Sequence, residues 1–134
     1  PVFALDAVVG KWKTIDDETK EAKSIVEVFQ QADGGVGGRI EKLFRKPTED
    51  QTPKCDKCSG VRKDQPVIGM QIMAGLKKEA ETVGSGGEIT DPKNGKTYSC
   101  YIELLEDGKK LKVRGYIGFS LLGRTQIWER EPAR

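Results

Sequence analysis

Short hairpin turns are the sequence feature that most restricts the fold of this 134-residue chain. Asn94-Gly95 and Asp107-Gly108 are dipeptides typical of tight turns, and the glycine-rich run at 32–38 permits a third reversal. Strands joined by such short links must run antiparallel, because a parallel pair needs a crossover of about a dozen residues or more. The sequence therefore predicts a sheet that is built from hairpins.

Alternation between apolar and polar residues places the strands between these turns. Tyr98, Cys100 and Ile102 fall on one face of a strand, while Leu111 and Val113, continued by Ile117 and Phe119, fall on one face of the next. A single buried face in a series of antiparallel hairpins is typical of a barrel or a sandwich. We expect strands near 11–16, 23–31, 36–44, 67–73, 86–90, 97–105, 110–118 and 123–130, and short helices at 1–9 and 74–81.

Eight strands are enough to close an up-and-down barrel, whose first strand must then pair with its last. This closure would bring Trp12 close to Arg124, Trp128 and Arg130. We expect Trp12 to contact the side chain of Arg124 or Arg130, because an arginine plane stacks favourably on an indole face. Such a stack would seal one end of the barrel.

Charge and composition argue against several classes of function. The 23 basic and 21 acidic residues nearly cancel, and no long run of like charge exists. The sequence thus predicts neither nucleic-acid binding nor membrane insertion. Histidine is absent, which removes Ser-His-Asp and Cys-His catalysis and histidine metal sites. This absence weighs against an enzyme without excluding one; we expect neither a cofactor nor a metal, and the sequence does not predict the oligomeric state.

Cys55 and Cys58 form the strongest local motif, Cys-x-x-Cys in a polar loop. Three interpretations are open: a small disulfide, a pair of redox-active thiols, or half of a metal site that Cys100 and an aspartate complete. The disulfide is favoured because no βαβ unit surrounds the motif and Cys100 lies in the middle of a strand. We expect Cys100 to be a buried free thiol.

A ligand cavity is expected at the end of the barrel opposite Trp12. Gly69, Gly115 and Gly118 would leave room there, and the loop with the two cysteines would cover the opening. The alternative is that the aromatic residues simply form the core, and Arg114 and Tyr116 are expected to face outward. The predicted ligand-binding residues are Phe29, Phe44, Met70, Met73 and Tyr98.

The chain also resembles known families. Gly10-x-Trp12 on the first strand, with an arginine on the last, is similar to the lipocalin and wider calycin signature. A more extensive resemblance is to the bacterial, mostly exported family catalogued as domain of unknown function 2147. It is carried by the segments "GKWKT" (10–14), "SIVEV" (24–28), "GGRIEKL" (37–43), "CDKC" (55–58), "IGMQI" (68–72), "GGEITDPKNGKTY" (86–98), "LKVRGYIG" (111–118) and "GRTQIWER" (123–130).

This resemblance implies a single lipocalin-like β-barrel domain over residues 1–134 and a periplasmic or secreted mature protein. It implies no activity. The leading functional hypothesis is an exported barrel that binds a small apolar or amphipathic ligand. The alternatives are a thiol redox protein that uses Cys55 and Cys58, and an envelope structural or adhesion domain whose barrel is filled.

Overall fold

A computed structural model describes residues 7–119 and 121–132 as a closed antiparallel barrel. Each strand pairs with its neighbours in sequence, and the first strand pairs with the last. The predicted all-β, eight-stranded, up-and-down architecture is therefore confirmed. The strands are β1 Gly10–Ile15, β2 Ala22–Gln30, β3 Val36–Leu43, β4 Gln71–Ala80, β5 Val83–Asp91, β6 Lys96–Leu105, β7 Lys110–Tyr116 and β8 Gly123–Arg130.

The predicted helix at 74–81 is wrong, because most of this segment belongs to β4. Its Ala, Leu, Lys and Glu content favours a helix by intrinsic propensity alone. In the barrel the same residues pair with β5, as between Lys77 and Ser85, and cross-strand pairing outweighs the propensity. Residues 67–70, predicted as the start of this strand, lie instead in the loop before it.

Helical structure is minor in the described part of the chain. Residues 1–6 of the predicted N-terminal helix lie outside the described residues, and Ala7 and Val8 form a 3-10 turn. Two further 3-10 turns lie at Gly60–Arg62 and Glu106–Gly108. Among the described residues there is no helix with the length and apolar character needed to cross a membrane.

The connections define two ends of the barrel. The closed end carries the short turns at 31–35, 81–82 and 106–109, together with the start of β1 and the end of β8. The open end carries the turns at 16–21, 92–95 and 117–122 and the long β3–β4 loop at 44–70. The closed end is held by side chains described below, and the long loop lies at the open end.

Large side chains fill the barrel near its closed end. Two of them occupy the space beside inward-facing glycines. A Cβ on Gly87 would lie 2.7 Å from Cγ of Leu76, and a Cβ on Gly38 would lie 3.2 Å from Cε of Met73. These glycines thus admit neighbouring side chains and leave no void. The largest fully buried side chains of the core include Trp12, Trp128, Met73, Leu76, Ile102 and Leu111.

The seam between β1 and β8 is the shortest ladder of the barrel. Its register consists of the pairs Trp12–Arg130 and Lys13–Glu129, whereas seven residue pairs join β7 to β8. The backbone N–H of Glu131 adds one bond to the carbonyl of Lys11. The strands are therefore joined near the closed end, and side chains connect them toward the open end.

Candidate functional site

Trp12 and Arg130 form the cap of the closed end. The guanidinium carbon of Arg130 lies 4.2 Å from the centroid of the Trp12 ring. Arg130 also donates hydrogen bonds to the carbonyls of Ala7, Val9 and Gly108, and the Trp12 Nε1–H donates to Val8 at 2.8 Å. Burial lowers the pKa of Arg130 from its usual value. Through these carbonyls the guanidinium joins β8 to the chain before β1 and to the β6–β7 turn.

Arg124 and Trp128, which were also predicted at the closure, are placed differently. Trp128 is buried, and its Nε1–H donates to Oε1 of Gln126 at 2.9 Å. Arg124 lies toward the open end, where its Nε donates to Oδ2 of Asp17 at 3.1 Å and its Nη2 lies 3.4 Å from Glu18. The guanidinium hydrogen bonds lower the pKa of Asp17. Arg124 thus connects β8 to the β1–β2 turn where the strand ladder has ended.

Cys55 and Cys58 form a disulfide, which confirms the favoured interpretation of the motif. The two residues are only 1% and 5% exposed, so the sulfurs are poorly accessible to a redox partner. Cys100 is fully buried in β6, and burial raises the pKa of its thiol to about 12. The described residues contain no cluster of three metal-binding side chains. The bonded, buried sulfurs therefore disfavour both the redox and the metal interpretations.

The disulfide loop rests on the turn between β5 and β6. Sγ of Cys55 lies 3.4 Å from the carbonyl oxygen of Pro92. Gly95 adopts φ +75°, and a Cβ there would overlap the backbone of Lys57. The loop also returns to β3, because the backbone N–H of Ile40 donates to the carbonyl of Met70 at 3.0 Å. These contacts fix the long loop against the rim of the open end.

Two of the predicted ligand-binding residues lie outside the barrel. Phe29 alternates with the buried Val28, and the guanidinium of Arg39 lies 4.5 Å from its ring on the outer face. Phe44 follows β3 and is exposed beside Lys42. An outer position leaves neither ring available to line the interior.

The other three predicted residues face the inside or the loop. Met73 is fully buried in the core, and Met70 is buried under the long loop. Tyr98 is half-buried on the inner face of β6, two residues before the buried Cys100. Its hydroxyl accepts a hydrogen bond from the side-chain amide of Asn94 at 2.9 Å. Of the predicted set, Tyr98 is the one that reaches the open end with a polar group.

Two cavities of about 460 Å³ each lie on the outer surface. One runs along the seam between β1 and β8, where Lys13, Ile15 and Ile127 contribute to its walls. The other lies under the long loop and includes Met70 and Ile68. Neither is an enclosed chamber in the barrel, and the cavity expected at the open end beside Gly69, Gly115 and Gly118 stays a prediction. Gly69 and Gly118 lie in loops at positive φ, outside the strands.

Residues 10–130 match the family model described as "Uncharacterized protein conserved in bacteria (DUF2147)". The chain belongs to this family. In structure it is similar to a solved chain described as "Protein HP1028 from the human pathogen Helicobacter pylori belongs to the lipocalin family". The TM-score is 0.79 at 18% identity, over 93% of this chain and 83% of the other. This similarity shows a lipocalin-like fold. No curated protein matches the sequence significantly.

One exposed feature of this family member was not predicted. Ile117 and Phe119, which alternation assigned to the buried face of β7, project from the β7–β8 turn into solvent together with Leu121 and Leu122. The strand ends at Tyr116, so alternation no longer applies beyond it. Gly118 and Gly123 are the sequence signal that marks this segment as a turn.

Proposed function

We propose that this member of the family is an exported, non-enzymatic binding module that holds a small amphipathic ligand at the open end of its barrel. The observation that carries the proposal is a change in burial along the inner face. On β6, Ile102 and Cys100 are fully buried, whereas Tyr98, nearer the open end, is only half-buried. The inner surface is thus filled at depth and accessible at the mouth.

The mouth combines apolar walls with a few polar groups. Ile89 pairs with Tyr98 across β5 and β6, and both lie against Gly115, where a Cβ would meet them at 3.4 and 3.6 Å. On the opposite side of the barrel, β1 and β2 supply the buried hydroxyl pair of Thr14 and Ser24, which are 2.7 Å apart. Small-ligand sites usually have this mixture of apolar surface and sparse, oriented hydrogen-bonding groups. It would suit an amphipathic molecule whose polar end meets the Tyr98 hydroxyl.

Export is supported by the disulfide and the family. Disulfides persist in oxidising compartments such as the bacterial periplasm and are rare in the cytosol. The Cys55–Cys58 bond braces a loop at the rim of the proposed site. We therefore assign the mature protein to the periplasm or the extracellular space. Expression with and without an export signal, followed by thiol counting, tests this assignment.

A paired substitution tests the ligand site. Fatty acids, quinones, haem and small aromatic compounds would be screened by thermal shift, because a ligand that binds only the folded state raises the melting temperature. Tyr98→Ala should reduce the shift. Tyr101→Ala is the matched control, because Tyr101 lies on the same strand but on its outer face, with Lys112 over its ring. Equal effects of the two substitutions, or no shift with any probe, would contradict the proposal.

The second candidate is a structural or adhesion domain with a filled barrel. It is favoured by the complete burial of Trp12, Met73 and Leu76 and by the position of both cavities on the outer surface. In this case the outer face alone would carry function. A negative ligand screen with an intact melting transition would favour this candidate over the binding module.

A further inference from the structure

The β7–β8 turn presents an apolar tip to solvent. Ile117, Phe119, Leu121 and Leu122 are 63%, 74%, 88% and 66% exposed. We call these four side chains the apolar tip. Together they expose roughly 500 Å² of apolar surface, taking about 150–200 Å² for a large apolar side chain. Contiguous apolar patches of about 300–600 Å² on a monomer often have a function.

Backbone hydrogen bonds join the described residues of the turn that carries the apolar tip. The N–H of Ile117 bonds to the carbonyl of Leu122, and the N–H of Leu122 bonds to Phe119 at 2.9 Å. Gly118 adopts φ +74°, and Gly123 approaches the backbone of β7 so closely that a side chain could not be accommodated. These bonds and the close approach of Gly123 hold the described residues of the turn in a conformation that exposes the four side chains.

Aromatic and basic groups follow below the apolar tip on the outer face. Tyr116 pairs with Tyr101 at a ring separation of 6.3 Å. Farther down the strand, Arg114 donates to Oγ1 of Thr125 at 2.7 Å, and Nζ of Lys112 lies 5.4 Å from the Tyr101 ring. The order from the end of the turn is apolar, then tyrosine, then cation. Proteins place the same order of side chains across the boundary between acyl chains, headgroups and water.

We propose that the apolar tip inserts into the surface of a lipid bilayer, with Tyr116 at the headgroup level. A second protein surface is a poorer match, because a stable interface buries about 800 Å² per partner and the apolar tip offers less. A convex tip also needs a concave partner, whereas acyl chains adapt to its shape. The sequence signals used to predict membrane contact are a long apolar run and a basic cluster. A four-residue apolar tip produces neither signal, so the composition predicted no membrane insertion.

The attraction should be apolar more than electrostatic. The turn beside the apolar tip carries Asp16, Asp17 and Glu18, and Arg124 pairs with the last two of these. This acidic neighbour would oppose binding that depends on anionic lipid. Insertion should therefore occur on zwitterionic vesicles and persist at high salt, because salt screens charge and not apolar transfer.

Vesicle sedimentation tests the proposal with the whole chain and phosphatidylcholine vesicles. The double substitution Phe119→Ser with Leu121→Ser should lower the partition coefficient about tenfold or more, because each large apolar side chain contributes strongly to transfer. Val61→Ser is the control, since Val61 is 89% exposed on the long loop and lies outside the apolar tip. An unchanged melting temperature would show that the double variant is folded.

Any of three results in the sedimentation assay would overturn the proposal. They are failure of the unmodified protein to sediment with vesicles, loss of binding at about 0.5 M salt where exposed charges are screened, and an equal effect of Val61→Ser. Concentration-dependent dimerisation that the double substitution abolishes would assign the apolar tip to a second copy of the chain instead. Bilayer contact through the apolar tip would be established if the double substitution removes binding and Val61→Ser preserves it. This result does not depend on whether Tyr98 binds a ligand.

Discussion

The guanidinium carbon of Arg130 lies over the indole of Trp12, its cross-strand partner, at 4.2 Å from the ring centroid. The pair joins the first strand to the last and contacts the chain before β1. Trp12→Ala should lower the free energy of unfolding by about 3–5 kcal/mol, because a large buried aromatic side chain is lost. Urea denaturation would measure this change. A loss below about 1 kcal/mol would mean that Trp12 is peripheral to the core.

Arg130 should contribute through its backbone partners as well as through the stack. Arg130→Met leaves carbonyls of Ala7, Val9 and Gly108 without their donor, which should cost about 1–3 kcal/mol. Arg39→Met is the matched control, because Arg39 stacks on Phe29 in an exposed position. Exposed ion pairs contribute about 0–1 kcal/mol. Similar losses for the two arginines in urea denaturation would refute the closure role of Arg130.

Gly95 tests how tightly the disulfide loop is held against the rim. Gly95→Ala introduces a Cβ that overlaps the Lys57 backbone, so it should cost a further 1–3 kcal/mol or so beyond the strain of positive φ. Gly34→Ala is a control for that strain, because Gly34 has φ +86° with no atom within 4 Å of the new Cβ. Denaturation midpoints compare the two variants. Equal losses would mean that the loop moves away at little cost.

The three cysteines should give a simple thiol count. Native oxidised protein should show no rapidly reacting thiol, and unfolding should release one, Cys100. Reduction of the Cys55–Cys58 bond should remove about 2 kcal/mol, the value that the chain-entropy relation gives for so short a loop. Thiol titration and urea denaturation, each with and without reductant, measure both effects. Any rapidly reacting thiol in the native oxidised protein would contradict the structure.

The Asp17–Arg124 pair should contribute to the fall of the melting temperature at acid pH, which we call the acid limb. Its hydrogen bonds hold the pKa of Asp17 below its usual value. The stabilisation is therefore complete above the unfolded pKa of about 3.9 and is lost as the pH falls through the lower folded pKa. Asp17→Asn should flatten the melting-temperature profile below about pH 4 relative to the parent protein. Part of the slope should remain in this variant, because backbone N–H groups also lower the pKa values of Asp16 and Asp33.

A control for that titration is available on the long loop. Asp56 is exposed on the long loop, so Asp56→Asn is the matched control for removal of an aspartate away from the seam. If both asparagine variants gave the same profile, the Arg124 contact would have no measurable effect on stability.

The barrel could be predicted because local signals agreed with the tertiary structure. The Asp107-Gly108 turn and the alternation through Cys100, Ile102 and Val113 favour the same hairpin that β6 and β7 form. The segment at 74–81 failed because its helix-forming residues are placed in a strand by pairing with β5, which local composition does not encode. Pairing depends on the residues of the partner strand, so the propensity of one segment alone could not find it.

The candidate site was harder to predict than the fold. Tyr98 could be assigned to the inner face because Cys100 and Ile102 follow in strict alternation. Phe29 was assigned inward on aromatic character, yet Arg39 covers its ring on the outside. Aromatic character predicts that a ring is partly buried, but it does not predict on which face of the sheet the ring packs. Side chains of neighbouring strands occupy the space beside the inward-facing glycines. Which side chain does so depends on the register between strands, and the pattern of a single strand does not contain that information.

The short seam between β1 and β8 has a consequence for how the chain folds. Six of the other seven ladders join strands that a short turn connects, and these can form as local hairpins within microseconds, whereas β3 and β4 are separated by the loop at 44–70. The seam joins Trp12 to Arg130, so loop entropy delays it until the rest of the sheet exists. Until then the sheet has two free edges and an uncovered apolar face, which are templates for aggregation. Ring closure is thus the step at which folding and aggregation compete.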